Sequence, residues 1–568
     1  MSKLFICLRF FLFIFSGYGY IQFLRKFIRT EFCFGLLFSG VSCVLFFAGI
    51  LNLLRVVTWT LFLFGLILAV YSVQQNKRVH DIICVGTVFF LASVLFLLVL
   101  LYGSKFTTYD DFSHWAMAAK VLIDSHRFPN FQDDFIIFTS YPLGSACFIY
   151  YFTQILGSSA EWIQMYAQNI LMAGMLTSLF AFSKKKLSAL FTAFICVCLL
   201  CSNRHLFELL VDNLLPIVAL SAASFCLYYS RGLKDRLFYV LPYVVFLLTI
   251  KNSGLLFSVL LCGYIWFTLR HEDIDSKTWL ILFAVPVMTL VLWQAHVRQV
   301  FPHGMTGKHS LSLSYYKQIF MGKQLSDIWI IVKAMAAREF SVSNRGLWVL
   351  ITGILLWIFW RRFTRQPCRD VGSTVLFAGI SYALYQIGTL GMYLFSMPTA
   401  EAVVLGSYDR YHRTIITFIA GLILVEIMRT VQQTKNSDTC TAPPAVLCTA
   451  LVALIALCTA LNPNFSYLRR QQLDGTKRNR FDCLIAEYDI SSGSNYLLVA
   501  QDEGEGYLYY LTQYLLWPQH LVIKTEDALT LDDLSYIDYI IVLDESEKTK
   551  AFLSELSPGY SDPVFCLY

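Results

Sequence analysis

The chain has 568 residues, 57% of them hydrophobic and only 14% charged, with mean hydropathy +0.59 and a formal net charge of +6. Soluble domains carry roughly a quarter charged residues, so a soluble globular protein is excluded. The positive charge lies in short clusters, with no basic domain and no nucleic-acid motif, which excludes a nucleic-acid binder.

In chain order, apolar stretches fall at about 4–24, 32–53, 56–73, 81–103, 162–182, 187–202, 214–230, 237–250, 253–269, 278–295, 345–360, 371–396, 412–430 and 445–461. Crossing about 30 Å of hydrocarbon takes roughly 20 apolar residues. Only helices and closed barrels satisfy their backbones in lipid, and these runs have helix length. The expected fold is an all-α polytopic membrane bundle of about 13–14 transmembrane helices. The first stretch contains Arg9 and no small-residue cleavage site, so it reads as a retained membrane segment.

Basic residues set orientation. Arg25, Lys26 and Arg29, then Lys77 and Arg78, Lys184 to Lys186, Arg231, Lys234 and Arg236, Arg361, Arg362 and Arg365, and Lys435 share one side if 141–157 does not cross. That segment opens Tyr141-Pro142-Leu143-Gly144 and reads as an interfacial or re-entrant helix. The expected domains are N-terminal membrane segments (1–103), an extracytoplasmic acidic loop with interfacial helices (104–160), a transmembrane core with outer loops 296–344 and 396–413 (161–461), and an extracytoplasmic tail (462–568). In the tail, 496–500 and 536–543 read as short strands and 506–516 as a helix, a small α/β domain. It has no Gly-rich phosphate loop, which leaves acceptor contact, a lid or a scaffold as its role.

The 16 cysteines mostly sit in apolar runs as small buried side chains. Cys198 and Cys201 have metal-ligand spacing but no second Cys or His pair nearby. Cys483 and Cys566 lie in the tail and can pair if it is extracytoplasmic.

The densest polar stretch is Thr108-Tyr109-Asp110-Asp111-Phe112-Ser113-His114-Trp115. One acid can simply cap the following helix; a cap requires neither the second acid nor the His-Trp pair. Asp133 and Asp134 lie in the same loop. Asp212 stands at the mouth of a span, Lys251 at a tight outer turn, and Arg410, His412 and Arg413 at another mouth. Each alone is more often an ordinary interfacial charge. Together they place acids and cations on one membrane face. A lipid-linked sugar phosphate needs cations to hold its phosphate as it leaves, and a carboxylate to take the acceptor's proton. Asp110, Asp111 and His114 are the candidate ligands if a divalent cation takes part. Trp115, Tyr141 and Trp162 are candidate sugar or lipid-tail platforms, or aromatic-belt anchors.

Taken in order, these features resemble the C-fold (GT-C) membrane glycosyltransferases, which use polyprenyl-phosphate sugar donors. The acidic pair Asp110-Asp111 is followed by His114-Trp115, then by Tyr141-Pro142-Leu143-Gly144, then by Glu161-Trp162 leading into a span. The turn Ile250-Lys251-Asn252-Ser253-Gly254 is similar to the family's Thr-Lys-Gly turn, and Asp409-Arg410-Tyr411 precedes a late span. The resemblance covers roughly 100–430. Four membrane segments precede the acidic loop where the family usually has one, and Tyr-Pro-Leu-Gly replaces the commoner Tyr-Pro-Pro.

The resemblance implies transfer of a sugar from a polyprenyl-phosphate donor to a cell-surface glycan, lipid or protein acceptor on the outer face. Asp110 or Asp111 would be the base, with Asp111 preferred as nearer His114, and Asp212 a second catalytic acid. Lys251, Arg410 and Arg413 would bind the donor phosphate. His114, Trp115, Tyr141 and His412 would support them. Acidic outer loops fit a bacterial plasma membrane. The rival readings are a polymerase or ligase of lipid-linked polysaccharide built on loop 296–344, with Arg298, His303, Lys308 and His309; a transporter of such a glycan; and a membrane scaffold.

Overall fold

The computed structural model describes residues 3–133, 135–183, 186–203, 206–230, 232–269, 274–301, 312–363, 369–434, 444–488, 494–500, 506–517, 520–525, 537–543, 547–556 and 564–566. The first helices are α1 Lys3–Leu24, α2 Thr30–Ile50, α3 Leu54–Gln74, α4 Val85–Leu101, α5 Ala116–Ser125, α6 Gly144–Leu156 and α7 Glu161–Leu176. Next come α8 Lys186–Leu200, α9 Leu214–Tyr228, α10 Leu241–Ile250, α11 Gly254–Leu269, α12 Ser276–Val300, α13 Leu313–Met321 and α14 Leu325–Glu339. The last of the bundle are α15 Arg345–Phe363, α16 Arg369–Phe395, α17 Thr399–Val403, α18 Tyr408–Thr434 and α19 Pro444–Leu461.

A helix lies at every one of the apolar stretches. Among the described residues, seven are long and apolar enough to cross a membrane: Phe5–Leu24, Thr30–Ile50, Leu54–Gln74, Glu161–Phe182, Ser276–Val300, Val371–Phe395 and Tyr408–Gln432. Several others, such as Val85–Leu101 and Leu214–Tyr228, are apolar but shorter. The helices thus suffice for a multi-pass membrane protein. Their apolar sides behave as lipid-facing surface would. Leu63, Ile67, Leu95 and Val99 are exposed, whereas Phe32, Leu45 and Phe46 of α2 are fully enclosed.

Basic residues from separate segments gather at one end. The Arg29 guanidinium donates to the Tyr228 hydroxyl at 2.6 Å. Arg236 lies over the Tyr229 ring, and Arg25 pairs with Asp81 at 3.7 Å.

Segment 141–157 folds into α6, 13 residues and so about 20 Å long, which is short of a span. It is enclosed by protein, with Phe148 against Phe38 of α2 and Phe152 against Phe13 of α1. Its first residue has to be glycine. A Cβ on Gly144 would stand 2.3 Å from the Thr249 hydroxyl at the end of α10.

After α19 come α20 Lys477–Glu487, β1 Asn495–Ala500, α21 Tyr507–Leu516, β2 His520–Thr525, β3 Tyr539–Val542, α22 Glu547–Leu556 and β4 Val564–Cys566. The strands form one sheet in the order β2-β1-β3-β4. The central strand β1 is parallel to both neighbours, and β4 is antiparallel to β3. Strand β1 is a continuous apolar run, Tyr496 to Val499, and all four side chains are buried. That is the pattern of a strand covered on both faces. The side chain of Cys566 lies outside the described residues, so its pairing with Cys483 does too.

Candidate functional site

Four chain segments converge where helices begin or end. The first is a π-helical turn, Asp111–Trp115, running directly into α5. Such turns insert one extra residue per turn and recur at functional sites. The second is the loop before α9. Its backbone is held down by α7, whose Gln168 and Asn169 amides donate to the carbonyls of Leu210 and Leu206. The third is the α10–α11 turn holding Lys251. A Cβ on Gly254 would come within 1.9 Å of the Leu247 carbonyl, so only glycine lets the turn close. The fourth is the first turn of α18. Asn203 ties it to the second segment, donating to the Thr414 hydroxyl at 3.1 Å.

The convergence makes an alternating chain of charges. The Arg410 Nη1 donates to Asp110 Oδ2 at 2.6 Å, and its Nε lies 3.7 Å from Asp212 Oδ2. Lys251 Nζ donates to the other Asp212 oxygen at 3.3 Å. Asp212 and Lys251 are buried, while the Asp110 side chain is 32% exposed and opens the cluster to the outside. Lys251 sits in an aromatic cage, 5.9, 5.8 and 5.6 Å from the ring centroids of Trp115, Tyr141 and Tyr411. Desolvated cation–π contacts of this kind are worth about 2 kcal/mol each at best. Arg410 also covers Tyr411 at 5.2 Å. Ser140 fixes the cage wall: its hydroxyl accepts from Asn252, and its carbonyl accepts from the Trp293 indole at 2.9 Å.

The two acids of the Asp-Asp pair go different ways. Asp111 is fully buried and faces away from Arg410. One oxygen accepts the Leu209 amide at 2.9 Å and the other the Thr108 hydroxyl at 2.8 Å. Burial, with Glu208 nearby, pushes its carboxyl well above the usual range. Asp111 therefore clasps the acidic loop to the loop before α9, and Asp110 is the acid that meets the cations. Neither acts as a helix cap through its side chain.

His114 is buried among Trp115, Phe138 and Tyr141 rings, 4.8 to 5.3 Å between centroids, and neither ring nitrogen has a hydrogen-bond partner among the described residues. Burial and the neighbouring Lys251 push it down to about 3, so it is neutral at physiological pH.

Asp110, Asp111 and His114 point in three directions. No group of three His, Cys, Asp or Glu side chains converges on one point among the described residues. The candidate divalent-cation set of these three is thus not assembled.

His412 and Arg413 do not join the cluster. His412 Nε2 faces the Tyr382 hydroxyl at 3.0 Å, in a network with Glu339, Asn344 and Tyr408. Arg413 is in electrostatic reach of Arg345 instead. Asp133 is held by Arg127 at 2.6 and 3.1 Å as a loop clasp. Asp134, His303, Lys308 and His309 lie outside the described residues.

Sequence reasoning assigned no role to three features. Tyr411, part of the quoted Asp-Arg-Tyr motif, completes the cage. Tyr507, Tyr510 and Tyr514 on α21 all reach the acidic loop, their rings 5.7, 5.2 and 5.4 Å from Phe112, Tyr109 and Phe112. Their i, i+3, i+7 spacing is the helical-face signal that marks them. Arg478, 1% exposed, pairs with Glu161 at 2.6 Å and Asp482 at 3.0 Å, and donates to the Phe106 carbonyl. It clamps the tail to the same loop.

Fold and site define a class in coarse terms: a helical chain with, among the described residues, seven helices long and apolar enough to cross a membrane, and a partly buried ion cluster at helix ends. The sequence matches no protein-family model and no curated protein.

Proposed function

We propose that the chain is a multi-pass membrane glycosyltransferase of C-fold type, moving a sugar from a polyprenyl-phosphate donor to a glycan, lipid or protein acceptor at the extracytoplasmic face. The observation that carries this reading is the alternating cluster Asp110–Arg410–Asp212–Lys251, assembled from four segments at helix ends.

In this reading Arg410 and Lys251 bind the donor phosphate. Arg410 Nε lies 3.7 Å from Asp212 and makes no hydrogen bond among the described residues, and a small turn of the partly exposed guanidinium would offer it to a phosphate oxygen. Asp110, partly exposed, takes the proton of the acceptor hydroxyl as its oxygen attacks the anomeric carbon. The bond to the phosphate oxygen breaks, and the two cations stabilise the departing phosphate. Asp212 holds both cations in place. The sheet-bearing tail forms a small extracytoplasmic α/β domain that backs the acidic loop.

The test uses membranes carrying wild type, Asp110→Asn or Asp111→Asn, incubated with a panel of radiolabelled polyprenyl-phosphate sugars. The expected result is that wild type consumes one donor, Asp110→Asn is inactive though inserted, and Asp111→Asn retains activity. If no donor is consumed, or Asp110→Asn matches wild type, the cluster is structural and the transferase reading fails.

A further inference from the structure

A second cleft lies beside the tail clamp. It is a cavity of about 330 Å³ between the start of the acidic loop, α5, the N-terminal turn of α7, and α21. Pockets for small ligands span roughly 300–1,000 Å³, so this one has room for one or two sugar rings. We infer that it is a glycan-binding subsite, separate from the charge cluster, that takes a neutral hydroxyl-rich ligand such as a segment of an acceptor oligosaccharide.

Three observations carry this. Gln164, 2% exposed, lines the cavity. Its Nε2 donates to the Ser159 carbonyl at 2.8 Å, but its Oε1 has no hydrogen-bond partner among the described residues. An unmet buried acceptor is costly, and a turn of the amide towards the cavity would bring it to a ligand hydroxyl. Secondly, the half-buried Trp162 and the exposed Asp124 line the same space. Apolar ring faces beside planar hydrogen-bonding groups match the two-sided chemistry of a sugar.

Thirdly, both cations at the cleft are already engaged. Lys120 donates to the Tyr514 carbonyl at 2.6 Å, and Lys105 pairs with Asp482 at 3.4 Å. Asp124 and Glu161 line the cleft beside these two lysines, so its formal charges balance, which favours an uncharged ligand over a phosphate. The π-helical turn and α5 run continuously from Asp110 to the cleft, about 15–20 Å along the axis at 1.5 Å per residue. A ligand held here is therefore not at the reacting atoms. It would anchor a chain whose end reaches them.

As an acceptor subsite this rests on the transferase reading, so binding is measured without turnover. The full chain in nanodiscs is dialysed against labelled mono-, di- and trisaccharides of glucose, galactose, mannose and N-acetylglucosamine. A separate arm uses a polyprenyl-phosphate sugar. We expect at least one free saccharide to bind. Its affinity should fall at least tenfold in Gln164→Leu and Trp162→Ala, and severalfold in Asp124→Asn. No binding by any free saccharide, or undiminished binding by Trp162→Ala and Asp124→Asn, overturns the inference. Should Gln164→Leu fail to fold, those two variants decide. Binding of only the lipid-linked sugar also overturns it. Saccharide binding without sugar transfer would keep the subsite and sink the transferase.

Discussion

Two arginines hold the acidic loop, Arg478 buried and Arg410 half-buried, and they are satisfied to different degrees. Arg478 is enclosed and fully used, with two carboxylates and a carbonyl meeting its fork at 2.6 to 3.1 Å. Arg410 donates to Asp110 at 2.6 Å and to the Tyr411 hydroxyl at 3.3 Å, while its Nε lies 3.7 Å from Asp212 and makes no hydrogen bond among the described residues. A saturated buried ion pair holds structure and resists change. The Arg410 cluster, with its partly exposed acid and caged lysine, is where the proposed donor phosphate would bind.

The contrast can be broken by single substitutions. Asp110→Asn should cut sugar transfer by about a hundredfold to ten-thousandfold, the usual worth of a general base. The variant's thermal midpoint in detergent should stay close to wild type; a midpoint that falls with activity would make Asp110 structural like Asp482. Arg478→Met should do the reverse. Removing one partner of a buried pair costs about 3–5 kcal/mol, so limited proteolysis should release the tail faster. A tail just as protected would mean that the tyrosine face of α21 holds it unaided.

Two smaller effects sharpen the comparison through pH, with opposite signs. His114 is depressed to about 3 from an unfolded value near 6.5. The unfolded chain therefore binds a proton that the native one refuses. Stability is full above about pH 6.5 and is lost as pH falls towards 3, by about 1.4 kcal/mol per unit. His114→Phe should flatten the fall in thermal midpoint between pH 7 and 5, and an unchanged slope would place that sensitivity elsewhere. Asp111 is raised, so its contribution is full below its unfolded value and is lost as pH rises through the folded one. Asp111→Asn keeps an acceptor for the Leu209 amide and should raise the midpoint at pH 8 more than at pH 4. The smallest change is Tyr382→Phe, which removes hydroxyl contacts to Glu339 and His412. It should cost about 1 kcal/mol and leave transfer unaffected; reduced transfer would draw His412 back into the site.

Hydropathy made the helices legible, because runs of roughly 20 apolar residues have few other fates. Lys251, Asp212 and Arg410 were legible as charges at the ends of such runs. The choice between Asp110 and Asp111 was not, because one residue of rotation in the π-helical turn turns them to opposite partners. Arg410 and His412 are two residues apart, 200° around a helix of 3.6 residues per turn, so periodicity alone could have separated them. The Glu161–Arg478 pair was illegible in principle, since nothing local ties two charges across such a distance in sequence.

That distance has a consequence for how the protein is made. The Phe106 carbonyl waits for an arginine 372 residues further along. At 5–20 residues per second, synthesis takes about 20–70 s to supply it. Throughout that interval the acidic loop lacks the Arg478 clamp, which it acquires only after α1 to α19 have been laid down. A chain truncated before α20 keeps Asp110, Asp212, Lys251 and Arg410 yet never closes the Arg478 clamp, so a segment made late governs a loop made early.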